Sequence, residues 1–372
     1  MTEHFFKTLK IENFRGIKSL EINDIARVNL FVGENNCGKT TVLEAAFLLS
    51  GINNPGLMVT MQNGRGVTLT EESDIKDFFY NRASERELVF SGAQIKGKRK
   101  LAVSPLYGNL RSGQINGFTS PSVLENGDTE RAQKFPADTS MTGQSLIGIK
   151  YRFSVSDPAT GKSKQYQAGA HWIEAGNPQF SVFSDKNYEE SMPGKGLYLR
   201  DGYDPRLVDE MLNMKQKDLL LSALNPIDPK IKDIKTGVQK TVSIDIGLDS
   251  FIPINLLGDG IMRILNLLSG INGVPGGMLF VDEMENGLHV TAMERAWEVV
   301  LAQSEKVNAQ IFMTTHSGDA IKSLRNVLDS QLLSDAVACY RLVKFPDDVV
   351  RAYRYSGEQL GMALDSDTDI RV

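Results

Sequence analysis

Gly33-Glu34-Asn35-Asn36-Cys37-Gly38-Lys39-Thr40 fits the spacing G-x-x-x-x-G-K-[ST], in which every fixed position has a task in holding phosphate. Glycines let the backbone curl until successive N–H groups face phosphate oxygens, and the helix that follows adds its positive end. Lys39 is expected between the terminal phosphates of a nucleotide, and Thr40 is expected to offer its hydroxyl to Mg2+. Thr41 belongs to the same cofactor-binding loop. Cys37 stands at a variable position of the loop. A helix N-terminus lowers a thiol's pKa, so a redox role is one reading of it and a small filler residue is the plainer one.

Two further constellations suit the same ligand. Met278-Leu279-Phe280-Val281-Asp282-Glu283 is an apolar run with two acids at its end. Ligands of α/β sheets bind at the carboxyl edge, so Asp282 is expected to hold Mg2+ directly or through a water. Glu283 is then the general base on an attacking water. A solvated acid pair capping the next helix is the alternative, and the loop upstream weighs against it. Gln310-Ile311-Phe312-Met313-Thr314-Thr315-His316-Ser317 ends another apolar run in a histidine. At that edge His316 is expected to hydrogen-bond the terminal phosphate, the alternative being a structural histidine. His4, His171 and His289 are scattered, and no Cys or His pairs stand at zinc-ligand spacing.

Such chemistry needs elements that bring these residues to one edge. Leu9, Ile11 and Phe14, then Ile17, Leu20 and Ile22, mark two short strands. Val28-Asn29-Leu30-Phe31-Val32 reads as a buried parallel strand ending at Gly33, and 39–49 as a helix stopped by Ser50-Gly51. The last third repeats this grammar. Helices are expected over 258–268, about 290–302, 319–327 and around 358–364, with strands over 278–281, 310–314, 337–342 and 349–355. That alternation predicts an α/β head with a mainly parallel sheet and an antiparallel N-terminal β part. The stretch 74–241 differs: it has Gly- and Ser-rich turns, strand-like Tyr151-Arg152-Phe153-Ser154-Val155, a helix over about 205–222 and no sustained heptad. It is expected to be an inserted β-rich lobe, with 1–73 and 242–372 forming the head.

The chain has 372 residues, 41% hydrophobic and 23% charged, values of an ordinary globular protein. No apolar run reaches the roughly 18 residues of a membrane span, and MTEHFFKTLK lacks the basic start and apolar core of a secretion signal. Two cysteines, Cys37 and Cys339, make no disulfide framework, so a cytoplasmic location is expected. A net charge of −5 excludes a protein coated in positive charge but leaves nucleic acid open as a partner through a local groove. Lys96-Gly97-Lys98-Arg99-Lys100 supports such a groove, although basic runs are most often solvated loops.

Taken together, these residues resemble the ABC-type ATPase head shared by the SMC, RecF and OLD (overcoming lysogenization defect) families. Leu9-Lys10-Ile11-Glu12-Asn13-Phe14-Arg15-Gly16 is similar to their first strand, which implies that Arg15 approaches the nucleotide phosphates. Leu257-Gly258-Asp259-Gly260-Ile261-Met262-Arg263 resembles their degenerate signature, implying that Gly258, Asp259 and Gly260 cap the γ-phosphate bound to the opposite subunit. Asp282-Glu283-Met284-Glu285-Asn286-Gly287-Leu288-His289 resembles the block joining Walker B to the D-loop, with Met284 where a proline is usual. Thr314-Thr315-His316-Ser317 matches the switch histidine. A Q-loop glutamine is left unassigned among Gln62, Gln114 and Gln144. The resemblance covers about 1–50 and 242–372.

It implies an ATP hydrolase that uses ATP and Mg2+ and pairs as a homodimer or larger even-numbered assembly. OLD nucleases carry a nuclease domain after the head; 56 residues follow His316, so that domain is expected to be absent. Long coiled coils with a zinc hook are missing, and LGDG replaces the LSGGQ-type signature of transporters. The nearest type is a stand-alone OLD-like ATPase of phage defence, acting through a separately encoded effector, a nuclease or toxin. A RecF-like repair ATPase that binds DNA through the middle stretch is the alternative. A transport subunit is a third reading, with no coupling surface to mark it.

Overall fold

The computed structural model describes residues 5–69, 71–94, 97–109, 114–115, 145–156, 160, 162–172, 180–184, 196–199, 203–237, 241–331, 336–366 and 370–371. In chain order the first elements are β1 (Leu9–Phe14), β2 (Ile17–Ile22), β3 (Val28–Val32), α1 (Lys39–Ser50), α2 (Gly56–Gly64) and α3 (Glu72–Lys76). There follow β4 (Leu88–Ala93), β5 (Lys98–Asn109), β6 (Gln114–Ile115), β7 (Ser145–Ser156), β8 (Ser163–Trp172), β9 (Phe180–Ser184) and β10 (Gly196–Leu199). Next come α4 (Pro205–Asn213), α5 (Lys217–Leu224), β11 (Asp233–Thr236), β12 (Val242–Asp245), β13 (Ile252–Pro253) and α6 (Asp259–Asn272). The chain closes with β14 (Met278–Val281), α7 (Val290–Lys306), β15 (Gln310–Thr314), α8 (Gly318–Gln331), β16 (Val337–Lys344), β17 (Val350–Ser356) and α9 (Gly357–Asp365).

The head sheet runs β10-β14-β15-β3-β16-β17, parallel throughout except for β17. Its central strands are apolar on both faces, and alternate residues serve two different cores. Phe31, Phe280, Phe312 and Tyr340 point to the α1 side, where Phe280 and Phe312 stack at 5.2 Å and Phe31 and Tyr340 at 5.5 Å. Leu30, Val32, Leu279, Val281, Ile311 and Met313 point to the side of α6, α7 and α8. Helix α1 is buried over all but its first two residues because it lies between the head sheet and a second, antiparallel one. The fold is thus the α/β class expected from the sequence, with its mainly parallel sheet and antiparallel N-terminal part.

That second sheet runs β2-β1-β4-β5-β7-β8-β9, with β6 on β5. The strands of 88–184 therefore extend the N-terminal β part edge to edge, while β10 joins the head sheet beside β14. The basic run departs from a solvated loop. Lys98, Arg99 and Lys100 open β5, and Arg99, 1% exposed, donates from Nη1 to the carbonyls of Ser50 (2.9 Å) and Leu49 (3.4 Å). A helix C-terminus carries orphan carbonyls and partial negative charge, so this arginine is a buried cap for α1. Lys96 lies outside the described residues.

One helix over 205–222 is corrected to two. Lys215 adopts φ 60°, and the Gln216 amide donates back to the Met211 carbonyl at 2.9 Å, a bond that ends α4 before α5 begins. Helices usually take glycine for this turn; a lysine in the left-handed region left no mark that sequence reading registers.

Candidate functional site

The phosphate loop leaves β3 at the carboxyl edge of the head sheet, with β15 on one side and β16 on the other. Gly33 has φ 144°, and a Cβ there would lie 2.6 Å from the Leu342 carbonyl oxygen and 2.8 Å from Cys37 Sγ. Asn36 (φ 64°) and Gly38 (φ 103°) turn the chain so that α1 starts without a side-chain cap and without an acid in its first turn. Uncapped amides and no competing carboxylate are what an anion needs at a helix start. Lys39 Nζ folds back to donate to the carbonyls of Gly33 (2.8 Å) and Glu34 (2.9 Å). Glu34 and Asn35 are exposed, and Thr40 is half-buried on the first turn of α1. Cys37 is buried, and burial pushes its thiol up, which fits the filler role.

Asp282 follows β14 at the same edge. The Thr314 hydroxyl donates to Asp282 Oδ1, and the Tyr198 hydroxyl stands 3.5 Å from Oδ2. Burial, with Asp282 nearby, pushes the Tyr198 phenol well up and keeps it a neutral donor. Among the described residues no three His, Cys, Asp or Glu side chains gather into a metal cluster. One carboxylate and the Thr40 hydroxyl, completed by phosphate oxygens and water, is a donor set that suits Mg2+.

Glu283 has φ 44°, a costly value for a non-glycine residue, and three groups hold it there. Its amide donates to Thr314 Oγ1 at 2.8 Å, and Asn286 Nδ2 donates to its carboxylate at 2.9 Å. Arg263, buried on α6, donates to the carbonyls of Glu283 (2.8 Å), Asp282 (3.0 Å) and Met284 (3.4 Å). The carboxylate itself is half-exposed and so can reach water. His316 follows β15, with Nδ1 3.8 Å from Glu283 Oε1 and 3.3 Å from Glu285 Oε1. Glu285, almost wholly buried, also accepts the amides of His316 (2.9 Å) and Ser317 (3.2 Å), so it fixes the turn that carries the histidine.

Arg15 (φ 51°) lines a cavity of about 430 Å3 beside Asn36, Gly38 and Thr41. Its Nε lies 2.9 Å from Glu44 Oε2, and Nη2 donates to Gln62 Oε1 at 3.0 Å. Arg65 takes the other Glu44 oxygen at 2.7 Å. Burial pushes the Arg15 guanidinium down while Glu44 opposes it. Of the Q-loop candidates, Gln62 is this partner of Arg15, Gln114 is on β6, and Gln144 is outside the described residues. None is on β10, the strand beside Asp282.

Gly258 (φ 104°) starts α6 with no side-chain cap, and Gly258 and Asp259 are exposed. Gly287 (φ 75°) packs on this turn, where a Cβ would meet Asp259 Cβ at 2.9 Å. Gly260 lies beside it, its own Cβ position 3.6 Å from the Gly287 carbonyl oxygen. Exposed Leu256 and Val290 flank the pair. The structure thus places Lys39, Thr40, Asp282, Glu283 and His316 at one sheet edge, with Gly258 and Asp259 on an exposed turn at the start of α6. Sequence reading missed Glu44, Tyr198, Arg263 and Glu285 as supports; the last two stood inside the motifs already singled out.

Residues 5–90 match a family described as an AAA ATPase domain, and 184–321 match an AAA domain whose description names the AbiEii toxin and type IV toxin–antitoxin systems. The chain is 22% identical to an ATP/GTP phosphatase of Helicobacter pylori over 389 residues, covering 98% of this chain and 99% of that protein. It is 29% identical over 127 residues to the DNA replication and repair protein RecF of Bacteroides fragilis, one third of each chain. An SMC head domain from Thermotoga maritima overlays 94% of this chain and 98% of its own with a TM-score of 0.40 and 13% identity.

Proposed function

We propose that this chain, a P-loop ATPase with an ABC/SMC-type head, works as a nucleotide-driven dimerisation switch that controls a separately encoded effector, a nuclease or toxin, in defence against phage. The observation that carries the reading is the uncapped turn that starts α6, exposed at Gly258 and Asp259. Uncapped amides at a helix start can take an anion, here against the Asp259 carboxylate in the first turn of α6, and a γ-phosphate held on a second copy would meet them. Two copies then enclose two ATP molecules. The stand-alone OLD-like assignment and its toxin or nuclease partner draw support from the toxin-associated description matched by 184–321.

In this reading the loop amides and Lys39 bind the phosphate chain, and His316, held by Glu285, contacts the terminal phosphate. A divalent ion such as Mg2+ would rest on Asp282 and Thr40 and neutralise phosphate charge. Glu283 accepts the proton of the attacking water, and the loss of γ-phosphate removes the contacts that favour the closed pair. Arg15 stands beside the cradle with its charge already met by Glu44. Among the described residues no helix is long and apolar enough to cross a membrane, and a cytoplasmic site of action is part of the proposal.

A RecF-like repair role is the second reading, favoured by the 29% identity over 127 residues. It predicts salt-sensitive DNA binding.

The test is mass in solution together with ATP turnover, for wild type and Glu283→Gln, with and without Mg-ATP. A hydrolysing wild type and a silent variant that ATP locks into an even-numbered assembly support the switch. Equal turnover in both proteins, or no change of mass with ATP, sinks it.

A further inference from the structure

We infer a second anion site on the outer flank of the phosphate loop, built around Arg341 and Arg371, that takes a small phosphate-bearing ligand separate from the nucleotide in the cradle. A cavity of about 420 Å3 lies there, walled by Glu34, Asn35 and Cys37 of the loop, by the end of β16 and by Arg371. Its size is that of a small-ligand pocket. It shares only Asn36 with the cavity on the Arg15 side, so the two open on opposite flanks of the loop.

Arg341 carries the argument. Strand β16 pairs in parallel with β3, and Arg341 stands opposite Val32, one residue before the loop begins. Its side chain is half-buried, its Nε is fully buried, and that Nε donates to no acceptor among the described residues. Nor does any described carboxylate lie within ion-pair distance of its guanidinium, whereas Arg15, Arg65, Arg152, Arg206 and Arg325 each have one. The cavity's own acid near β16, Asp348, is already engaged. It lies 2.9 Å from Lys344 Nζ and accepts the Tyr80 hydroxyl at 2.6 Å. A guanidinium with a buried, unmet Nε and no counter-charge is costly, and an arriving oxyanion removes that cost.

Arg371 supplies a second cation to the same cavity. Ile370, 1% exposed, anchors this segment in the core, and Arg371 Nη1 donates to the His316 carbonyl at 3.1 Å. Two guanidinium forks suit phosphate oxygens better than point charges do. An anion drawing on Arg371 also pulls on the backbone of the switch histidine, which couples this site to the hydrolytic one.

The test uses the full chain carrying Lys39→Ala, with inorganic tripolyphosphate as the probe in titration calorimetry. The Lys39→Ala chain is expected to keep binding tripolyphosphate. Adding Arg341→Gln weakens that binding about ten- to a hundredfold, the worth of one lost charge-assisted hydrogen bond. Arg341→Gln alone leaves ATP binding by the wild-type loop unchanged, so failure of the loop assignment and failure of this site read out separately. Arg341→Lys, which keeps the charge and loses the fork, gives an intermediate affinity and replaces Arg341→Gln if that variant does not fold. A Lys39→Ala chain that binds no tripolyphosphate overturns the site. So does a folded Arg341 variant that binds as tightly as its parent. An Arg341→Gln effect on self-association alone, with anion binding intact, also overturns it and makes the occupant an acidic side chain of a second copy.

Discussion

Replacing Thr314 by valine keeps the shape of a fully buried side chain and deletes one hydroxyl. That hydroxyl accepts the Glu283 amide at 2.8 Å and donates to the Asp282 carboxylate. A neutral hydrogen bond of this kind contributes about 1 kcal/mol and one to a charged group about 1.5–3 kcal/mol. Thr314→Val should therefore destabilise the fold by about 2–4 kcal/mol, read as a lower urea midpoint at constant m-value. Loss of activity should exceed what unfolding explains. Glu283 sits at φ 44°, a strained backbone worth about 1–3 kcal/mol that its anchors must oppose. If the carboxylate drifts by that energy in the transition state, kcat falls about ten- to a hundredfold. Turnover at saturating Mg-ATP and a Mg2+ titration, both under conditions where the variant is folded, measure this. Thr314→Ser restores the hydroxyl and should recover most of kcat. A Thr314→Val protein that loses stability yet turns over within about twofold of wild type would falsify the link between Thr314 and the base.

Three other outcomes follow from the same geometry. Gly33→Ala drives a Cβ to 2.6 Å from the Leu342 carbonyl at φ 144°, and should weaken ATP binding at least about a hundredfold in a nucleotide titration, a strain of roughly 3 kcal/mol. Cys37→Ala should not rescue it, because the backbone oxygen stays in the way. Arg263→Met removes three donors from the carbonyls of Asp282, Glu283 and Met284, and should lower kcat about tenfold or more with KM little changed, in steady-state kinetics. The third concerns Asp348, whose carboxyl is held below the usual range by the Tyr80 hydroxyl first and Lys344 second. A depressed carboxylate stabilises above its unfolded pKa of about 4 and loses that stabilisation as pH falls through the folded value. Melting curves of wild type and Tyr80→Phe should thus differ at pH 6 and converge at the acid end; parallel curves throughout would remove Asp348 from the acid response.

Much of the chemistry was legible without coordinates, and the reason is local. The phosphate loop, Asp282-Glu283 and His316 each follow a short apolar strand within a few residues, so backbone geometry and side-chain type are written side by side. Strand and helix positions in the last third agreed for the same reason, apart from ends that ran a turn longer, as in α7 to Lys306. Where the break between α4 and α5 depended on a lysine in the left-handed region, sequence pattern carried no sign of it.

What only the tertiary structure decided is which distant partner each polar side chain meets. Arg99 lies in a basic run yet caps α1 from another sheet, and Glu44 on α1 joins Arg15 to Arg65. Tyr198 reaches Asp282 only because β10 pairs with β14, and the strands of 88–184 prove to be an extension of β2 and β1 through pairings that no periodicity encodes. The sequence by itself determined the motif residues and the elements bearing them, because steric and hydrogen-bonding rules act between neighbours. The supports of those residues came from the folded chain, because a buried charge or hydroxyl is satisfied by whatever group the packing brings within about 3 Å, at any separation along the chain.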